Sequence, residues 1–251
     1  MKRKIIAFDL DGTLAESKSP MADRMSEILN ELLTKYQVCV ISGGKFEQFE
    51  KQLLANLKAD PIKLEALHLM PTCGTRYYRY DVVAAKWEKV YAEDFTEEEK
   101  KKIIHAMNDG LDNLKMRETK LWGEIIEDRG SQVTLSALGQ EAPVADKEAW
   151  DPDNSKKLKL RNYIQELIPE FEVRSGGTTS IDITKLGIDK AYGMKKLMEI
   201  LEVTKEEILF FGDRLNEGGN DYPVKAMGID SLEVSHWQET ALALESILAV
   251  I

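Results

Sequence analysis

The sequence predicts an α/β protein in which a parallel sheet covered by helices is interrupted by an inserted α+β unit. Strand and helix patterns alternate with short links at the start of the chain, which is typical of a parallel sheet. The same alternation returns near the end, after a middle block of mixed pattern. We therefore expect a core in two parts, residues 1–91 and 186–251, around an inserted unit at residues 92–185.

The first part of the core is expected to supply two buried strands, each followed by a helix. The runs Lys4–Phe8 and Gln37–Ile41 are apolar, have the length of strands and end at polar residues. Helical spacing of apolar residues predicts helices over Met21–Tyr36 and Phe46–Leu57. The tyrosines that alternate with polar residues over Thr75–Val90 predict an antiparallel hairpin.

The middle block mixes helices with short strands. Thr96 and Glu99 have the spacing of a capping box, which opens a helix reaching about Asn108, with Asp109–Gly110 as its end. A second helix is predicted over Ser155–Leu167. Two strand patterns follow each helix: Leu121–Ile126, Gln132–Leu138, Glu170–Arg174 and Thr178–Thr184.

The last part of the core returns to alternating helices and buried strands. The strand over Ile208–Phe211 runs directly into Gly212 and Asp213, so that it ends in charge. The other predicted elements are Lys190–Leu201, Tyr222–Met227 and Gln238–Leu248 as helices and Ser231–Val234 as a strand.

Charge and hydropathy narrow the range of partners. The chain of 251 residues carries 34 basic against 44 acidic residues, a net charge of −10. Its basic runs, such as Lys100–Lys102 and Lys156–Lys157, lie beside acidic residues on helical patterns, whereas a nucleic-acid binder usually has a basic face. We expect no nucleic-acid partner.

The apolar runs also argue against a membrane partner. The longest of them have the length of strands, so none predicts a membrane-spanning helix. The basic start at Met1–Lys4 is followed by an apolar run that ends at Asp9, which is too short for a signal peptide. We expect a cytoplasmic protein.

Polar side chains follow several predicted parallel strands at the point where each strand ends. Asp9 and Asp11 follow the first strand, Ser42 the second, and Asp213 a strand of the last part. Lys190 opens a predicted helix. Because ligands bind beyond the carboxyl ends of parallel strands, we expect these side chains to meet at one edge of the sheet.

The side chains expected at this edge of the sheet are of the types that bind a phosphoryl group. Two close carboxylates repel each other unless a cation joins them. Oxygen-only ligands suit Mg²⁺, a hard ion that also binds substrate phosphates. A lysine and a hydroxyl beside them would hold a phosphoryl group. The residues therefore predict Mg²⁺-assisted phosphoryl transfer to or from a carboxylate.

The ordered motifs resemble those of the haloacid dehalogenase superfamily of phosphotransferases. The resemblance implies a Rossmann-like core with an inserted cap, and the long insert after the second motif is similar to the cap called C2, subtype B. The residues that carry the resemblance are Asp9-Leu10-Asp11-Gly12-Thr13, Ser42, Lys190, and Gly212-Asp213 with Asp221.

Nearly the whole chain resembles the eukaryotic-type phosphomannomutases within that superfamily. Gly218-Gly219-Asn220-Asp221 is similar to their metal loop. Gly176-Gly177 with Ser180 and Asp182 is similar to the segment that leaves their cap, and the stretch from Gly123 to Arg129 is similar to a cap strand. The resemblance implies a phosphorylated sugar as the substrate.

The resemblance also implies roles in the core. Asp9 would attack phosphorus and become an aspartyl phosphate, and Asp11 would act as the general acid and base. Asp9, Asp213 and Asp221 would form the Mg²⁺ site together with Asp11, which would contribute its backbone carbonyl. The phosphoryl oxygens would be bound by Ser42, Gly43 and Lys190.

The substrate-binding residues implied in the cap and beside it include departures from the family pattern. Arg129, Ser180 and Asp182 match the family, whereas Lys18, Trp122 and Gln140 stand where phosphomannomutases have arginines. Lysine replaces the charge of arginine but not its bidentate fork, and the other two carry no charge. We infer a weaker site for a second phosphate, although Lys115, Arg117 and Lys120 lie nearby in sequence.

The departures favour a sugar-phosphate phosphatase, with a phosphomannomutase as the alternative and a non-catalytic binding module as a remote one. Two of the cap residues also have plainer interpretations. Arg129 could form an ordinary hairpin ion pair, and Gln140 could be a loop residue. Both a monomer and a homodimer stay open, because caps in this family sometimes pair.

Overall fold

The computed structural model describes residues 3–176 and 179–250, which form two compact units. One unit comprises Met1–Ala92 and Asp189–Ile251, and the other comprises Glu93–Ile188. The second unit is thus an insertion in the sequence of the first. Gly177 and Thr178, within the expected segment that leaves the cap, lie outside the described residues.

The first segment, up to Ala92, begins the main sheet. Its helical stretch after β2 starts as α-helix and continues as a π-helical turn over Glu50–Leu54. The elements are β1 (Ile5–Phe8), α1 (Asp23–Leu32), β2 (Gln37–Ile41), α2 (Phe46–Phe49), α3 (Pro61–Leu64), β3 (Leu67–Met70), β4 (Arg76–Asp81) and β5 (Lys86–Ala92).

The inserted unit is a four-stranded antiparallel sheet with helices. Apolar side chains on one face of this sheet, such as Val133 and Ile183, pack with Ile103 and Leu160 of two helices. The elements are α4 (Glu97–Asn113), β6 (Ile126–Asp128), β7 (Gln132–Ser136), α5 (Val144–Trp150), α6 (Ser155–Leu167), β8 (Phe171–Ser175) and β9 (Ser180–Lys185), and the strand order is β6–β7–β9–β8.

The last segment completes the main sheet. Its elements are α7 (Lys190–Leu201), β10 (Ile208–Gly212), α8 (Tyr222–Ala226), β11 (Asp230–Glu233) and α9 (Trp237–Ala249). The strand order of the main sheet is β11–β10–β1–β2–β3–β4–β5. The five strands from β11 to β3 are parallel, whereas β4 pairs antiparallel with β3 and β5 pairs antiparallel with β4. The predicted α/β class and parallel core are confirmed.

The central strand β1 explains why the carboxyl edge of this sheet can carry a site. All four of its residues are buried, as expected for a strand covered on both faces. It pairs with β10 on one side and β2 on the other, with Phe8 opposite Phe211 and Val40. The residues that follow these three strands therefore emerge side by side.

One predicted helix end is wrong. The helix that opens at Thr96 does not stop near Asn108 but continues through Gly110 to Asn113. A Cβ at position 110 would lie 2.9 Å from Cδ1 of Leu160, so glycine here allows α4 and α6 to approach closely. Glycine at this position reflects helix packing and not a helix end.

Other predicted boundaries also need correction. The predicted strand Leu121–Ile126 is irregular up to Ile125 and becomes β6 only at Ile126, because its backbone instead pairs with a turn. There the N–H of Trp122 donates to the carbonyl of Leu138 (2.9 Å). That turn also ends β7 at Ser136, two residues before the predicted end.

The predicted helices of the first segment are too long. The helix expected over Met21–Tyr36 is regular only from Asp23 to Leu32, and the one expected over Phe46–Leu57 ends at Leu54 after its π-helical turn.

Strand β3 has no counterpart in the sequence prediction. Its run Leu67–Met70 contains no β-branched residue and includes His68. The His68 ring is buried between Tyr77 Oη (2.7 Å from Nδ1) and Gln37 Oε1 (2.8 Å from Nε2). These partners make a histidine acceptable in a buried strand.

Among the described residues, no helix combines the length and the apolar character needed to cross a membrane.

Candidate active site

Strand β1 delivers Asp9 to the carboxyl edge of the main sheet. Its backbone N–H continues the sheet by donating to the carbonyl of Phe211 in β10 (2.9 Å). The residue is only 3% exposed. A buried carboxylate is costly unless a cation or several donors face it, so the neighbours of Asp9 decide its chemistry.

The cation that faces Asp9 is Lys190, the first residue of α7. This helix begins at the N-cap Asp189, whose side chain accepts a hydrogen bond from the N–H of Tyr192 (2.9 Å). The Lys190 ammonium is fully buried and donates to Oδ1 of Asp9 and to Oδ1 of Asp221. One lysine therefore joins two carboxylates that come from distant parts of the sequence.

Two more acidic residues lie on the loop after β10. Asp221 is buried, and its Oδ2 accepts a hydrogen bond from the N–H of Arg214 (3.1 Å). One carboxylate oxygen from each of Asp9, Asp213 and Asp221 lies within 4.8 Å of the others. Three carboxylates against one ammonium leave surplus negative charge, and oxygen-only donors at this spacing fit a hard divalent cation such as Mg²⁺.

The electrostatics of the cluster agree with that surplus. Burial raises the pKa of Asp9 to about 8, against the opposing attraction of Lys190. Burial also raises the pKa of Asp213, and repulsion from Asp221 adds to the effect. Burial acts to lower the pKa of Lys190, but Asp9 and Asp221 outweigh it, so this pKa lies above its ordinary value. A bound cation would stabilise the ionised carboxylates.

The turn after Asp9 requires glycine at position 12. Gly12 has a φ of +83°, and a Cβ there would lie 2.6 Å from Oδ2 of Asp213. The backbone of the Asp11–Gly12 turn thus passes directly beside Asp213. The expectation that the Asp11 carbonyl joins the metal site stays a prediction.

The Asp11 carboxylate does not belong to the group of three oxygens. Its Oδ1 accepts from the backbone N–H of Lys18 (2.8 Å) and from Nε2 of Gln52 (3.1 Å). Its Oδ2 accepts from Nε2 of Gln48 (2.8 Å). These donors place the carboxylate of Asp11 in surroundings different from those of Asp9.

Ser42 and Gly43 follow β2, next to the end of β1. Ser42 is buried, its Oγ accepts from the N–H of Gly44 (3.3 Å), and its carbonyl accepts from the N–H of Cys73 (2.9 Å). The Ser42 hydroxyl and the backbone bond from Cys73 therefore fix the Ser42–Gly44 loop at the same edge of the sheet.

The predicted cap residues Ser180 and Asp182 lie on one face of the inserted sheet. Asp182 is opposite Thr134 of β7, whose Oγ1 donates to its Oδ1 (2.7 Å), and Ser180 is opposite Ser136. On the other side of β9, Arg174 of β8 lies opposite Asp182. Because side chains alternate across a sheet, these residues form a polar face opposite the apolar one.

The remaining predicted substrate residues are distributed between the two units. Nε of Arg129 donates to Oε2 of Glu127 (2.8 Å), which agrees with an ordinary hairpin ion pair. Nε2 of Gln140 is 3.3 Å from the carbonyl of Thr134. Lys18 lies in the first unit, on the loop after β1, where its backbone binds Asp11.

The family model of the haloacid dehalogenase-like hydrolases matches the sequence of residues 6–218. The chain belongs to this family. It is thus an enzyme of the haloacid dehalogenase superfamily, as the ordered motifs indicated. The match covers most of both units.

Curated relatives of this chain include phosphomannomutases. A phosphomannomutase of Encephalitozoon cuniculi is 27% identical over 234 residues, which cover 89% of this chain and 84% of the relative. Phosphomannomutase 2 of Dictyostelium discoideum is 26% identical, over 89% of this chain and 87% of its own length. The predicted resemblance to phosphomannomutases is confirmed.

Solved structures share the fold of this chain. An IMP-nucleotidase of Plasmodium falciparum superposes with a TM-score of 0.71 and 17% identity, covering 99% of this chain and 68% of the other. A haloacid dehalogenase-like hydrolase of Bacteroides thetaiotaomicron superposes with a TM-score of 0.66 and 17% identity, covering 98% of this chain and all of the other.

The two glutamines that contact Asp11 were not predicted from the sequence. Gln48 and Gln52 are four residues apart, which is one helical turn, on the stretch directly after Ser42–Gly44. That spacing was the available signal, but polar residues at such spacing usually indicate a solvated helix face. Their direction toward Asp11 became visible only in the folded chain.

Proposed function

We propose that this enzyme is a Mg²⁺-dependent sugar-phosphate phosphatase that works through a phosphoryl group carried on Asp9. The observation that carries the proposal is the buried cluster of Asp9, Lys190 and Asp221, with Asp213 beside it. A carboxylate that faces an ammonium and further oxygen ligands suits nucleophilic attack on a phosphate ester, because the charge of the ester is neutralised there.

The proposed reaction has two steps. An oxygen of Asp9 attacks phosphorus, the bond from phosphorus to the sugar oxygen breaks, and that oxygen takes a proton from Asp11. A water molecule then attacks the same phosphorus and gives a proton to Asp11. The bond between phosphorus and Asp9 breaks, its electron pair returns to the carboxylate, and inorganic phosphate is released.

The remaining residues bind and orient. Ser42, Gly43 and Lys190 would bind the phosphoryl oxygens, and Asp9, Asp213 and Asp221 would hold Mg²⁺. When bound, the ion supplies neutralisation of the charge on the phosphate. The surplus negative charge of the cluster supports this assignment.

Phosphatase activity is favoured because two of the positions that the resemblance assigns to a second phosphate carry no positive charge. Trp122 and Gln140 are uncharged, and the Nζ of Lys120 lies 4.3 Å from the centre of the Trp122 ring. Arg117 binds Asp112 through two hydrogen bonds (2.7 and 3.1 Å), which a phosphate would have to replace. A mutase must hold a second phosphate while the sugar turns over.

The relatives favour a second candidate, a phosphomannomutase that interconverts mannose 1-phosphate and mannose 6-phosphate. It would share Asp9, Asp11, Lys190 and the acidic cluster. The two candidates differ only in whether water or a sugar hydroxyl accepts the phosphoryl group.

An assay with Mg²⁺ and mannose 1-phosphate, with and without a hexose 1,6-bisphosphate, tests the proposal. We expect release of inorganic phosphate and no hexose 6-phosphate, and no turnover by Asp9→Asn. Bisphosphate-dependent formation of mannose 6-phosphate would identify the mutase instead. Turnover that survives in Asp9→Asn would refute both candidates.

A further inference from the structure

Two glutamine amides meet the Asp11 carboxylate, and the proposed reaction assigns them no part. Nε2 of Gln48 is 2.8 Å from Oδ2, and Nε2 of Gln52 is 3.1 Å from Oδ1. The backbone N–H of Lys18 also donates to Oδ1 (2.8 Å). Both carboxylate oxygens of Asp11 are therefore held by donors that lie in fixed directions.

The two amides are themselves fixed. Nε2 of Gln48 donates to Oε1 of Gln52 (2.5 Å), so the side chains form a pair. Gln52 is 3% exposed, and its Nε2 also lies 3.1 Å from the carbonyl of Ser19 and 3.4 Å from that of Glu16. Because a buried amide that rotates loses such partners, the pair has one favoured arrangement.

The local backbone is shaped for this pair. Gln52 lies in the π-helical turn Glu50–Leu54, where the N–H of Ala55 donates to the carbonyl of Glu50 (2.8 Å). Such turns are rare and occur frequently at functional sites. A Cβ at position 44 would lie 2.0 Å from Oε1 of Gln48, so Gly44 leaves the space that this side chain occupies.

We propose that Gln48 and Gln52 are positioning residues, which hold the Asp11 carboxylate where it exchanges a proton with the oxygen of the substrate. The inference rests on the proposed function, in which Asp11 is the general acid and base. Amides suit the task because they donate hydrogen bonds without adding charge beside the acidic cluster. A carboxylate in either place would repel Asp11, and an ammonium would compete with Lys190 for the carboxylates.

Two substrates with different leaving groups test the inference. The sugar oxygen of mannose 1-phosphate needs a proton as it leaves, whereas the nitrophenolate of p-nitrophenyl phosphate leaves without one. The ratio kcat/KM covers only the steps through the first irreversible one, here transfer of the phosphoryl group to Asp9. Displacement of Asp11 should therefore lower kcat/KM for mannose 1-phosphate selectively.

The variants are Gln48→Ala, Gln52→Ala and Gln48→Glu, measured with Mg²⁺ beside the wild type and Asp9→Asn. For mannose 1-phosphate we expect losses of about 10- to 100-fold in kcat/KM, and for p-nitrophenyl phosphate losses below about threefold. Gln48→Glu should lose at least as much as Gln48→Ala, because it adds repulsion. Gln48 is only half-buried, so its variants keep the test valid if Gln52→Ala unfolds.

The matched control is Gln165→Ala in α6, which removes a half-buried glutamine that donates to the carbonyl of Phe171 (2.9 Å). It should leave the ratio between the two substrates unchanged. In the Gln48 variants, equal losses of kcat/KM on both substrates, no loss, or a gain would overturn the inference. The proposed function would still stand in each of these cases if the wild type is active and Asp9→Asn is inactive. A wild type that hydrolyses neither substrate would refute the proposed function itself.

Discussion

At the scale of single residues, the central feature is an imbalance of buried charge. Lys190 faces Asp9 and Asp221, and Asp213 adds a third carboxylate oxygen within 4.8 Å. Taking charges out of water is costly, and one lysine cannot neutralise three carboxylates. We therefore expect a divalent cation to stabilise the cluster, which can be measured apart from catalysis.

Magnesium should raise the melting temperature of the protein through this cluster. A ligand at a hundred times its Kd adds about 2.7 kcal/mol to the free energy of unfolding when it binds only the folded state. Asp213→Asn should lose more than half of the Mg²⁺-dependent rise. Without Mg²⁺ it should be at least as stable as the wild type, since one repelling carboxylate is gone.

Differential scanning fluorimetry across a Mg²⁺ titration measures both effects. Asp60→Asn, an exposed aspartate that makes no side-chain capping bond at the start of α3, serves as the control and should behave like the wild type. An unchanged Mg²⁺ response in Asp213→Asn would place the cation somewhere else.

At the scale of elements, β3 and β4 are joined by a buried histidine. The neutral His68 ring satisfies both neighbours when Nε2 donates to Gln37 and Nδ1 accepts from the Tyr77 hydroxyl. Burial, helped by Arg79, lowers the pKa of His68 to about 3. The ring therefore stays neutral in the folded protein at pH values where the unfolded chain has already bound a proton.

This difference makes stability fall as the pH is lowered. The contribution of His68 to the free energy of unfolding is complete above the ordinary histidine pKa of about 6.5. It is lost progressively as the pH falls toward about 3. Between about pH 7.5 and about pH 4.5, the wild type should lose about 2.5 kcal/mol more than His68→Asn does. Urea unfolding at each pH measures the loss.

The exposed His105 of α4 provides the control for this prediction. His105→Asn should follow the pH dependence of the wild type. If His68→Asn follows it as well, the buried ring does not set the acid sensitivity of this junction.

The start of α4 depends on a reciprocal cap. Oγ1 of Thr96 accepts from the N–H of Glu99 (3.2 Å), and Oε2 of Glu99 accepts from the N–H of Thr96 (2.7 Å). Thr96→Ala should lower the free energy of unfolding by about 1 kcal/mol, because a donor at the helix start is left without its partner. Thr96→Ser should keep most of this stability. Equal free energies of unfolding for the two variants, measured with urea, would disprove the role of the cap.

Elements also show what the sequence could predict. Asp9 and Asp213 follow buried apolar runs, and parallel pairing of β1 with β10 brings such strand ends together, so their meeting was predictable. The position of Gln52 depends on a π-helical turn, which has no clear sequence signature. The contact between Thr134 and Asp182 depends on which strands become neighbours, and periodicity alone does not specify that.

At the scale of the whole molecule, one chain carries two structural units, and both contain residues that the resemblance assigns to substrate binding. Asp9, Asp11, Ser42 and Lys190 belong to the first unit, and Arg129 with the polar sheet face belongs to the inserted one. The family match spans residues from both units. We therefore predict that all covalent chemistry occurs on the first unit, whichever molecule finally accepts the phosphoryl group.

The most direct measurement is the site of phosphorylation during turnover. The enzyme would be mixed with Mg²⁺ and mannose 1-phosphate, quenched in acid within the first turnover and analysed by peptide mass spectrometry. We predict one added phosphoryl group on Asp9 in the wild type and none in Asp9→Asn. A phosphoryl group on another residue, or turnover by Asp9→Asn, would contradict the assignment of Asp9 as the nucleophile.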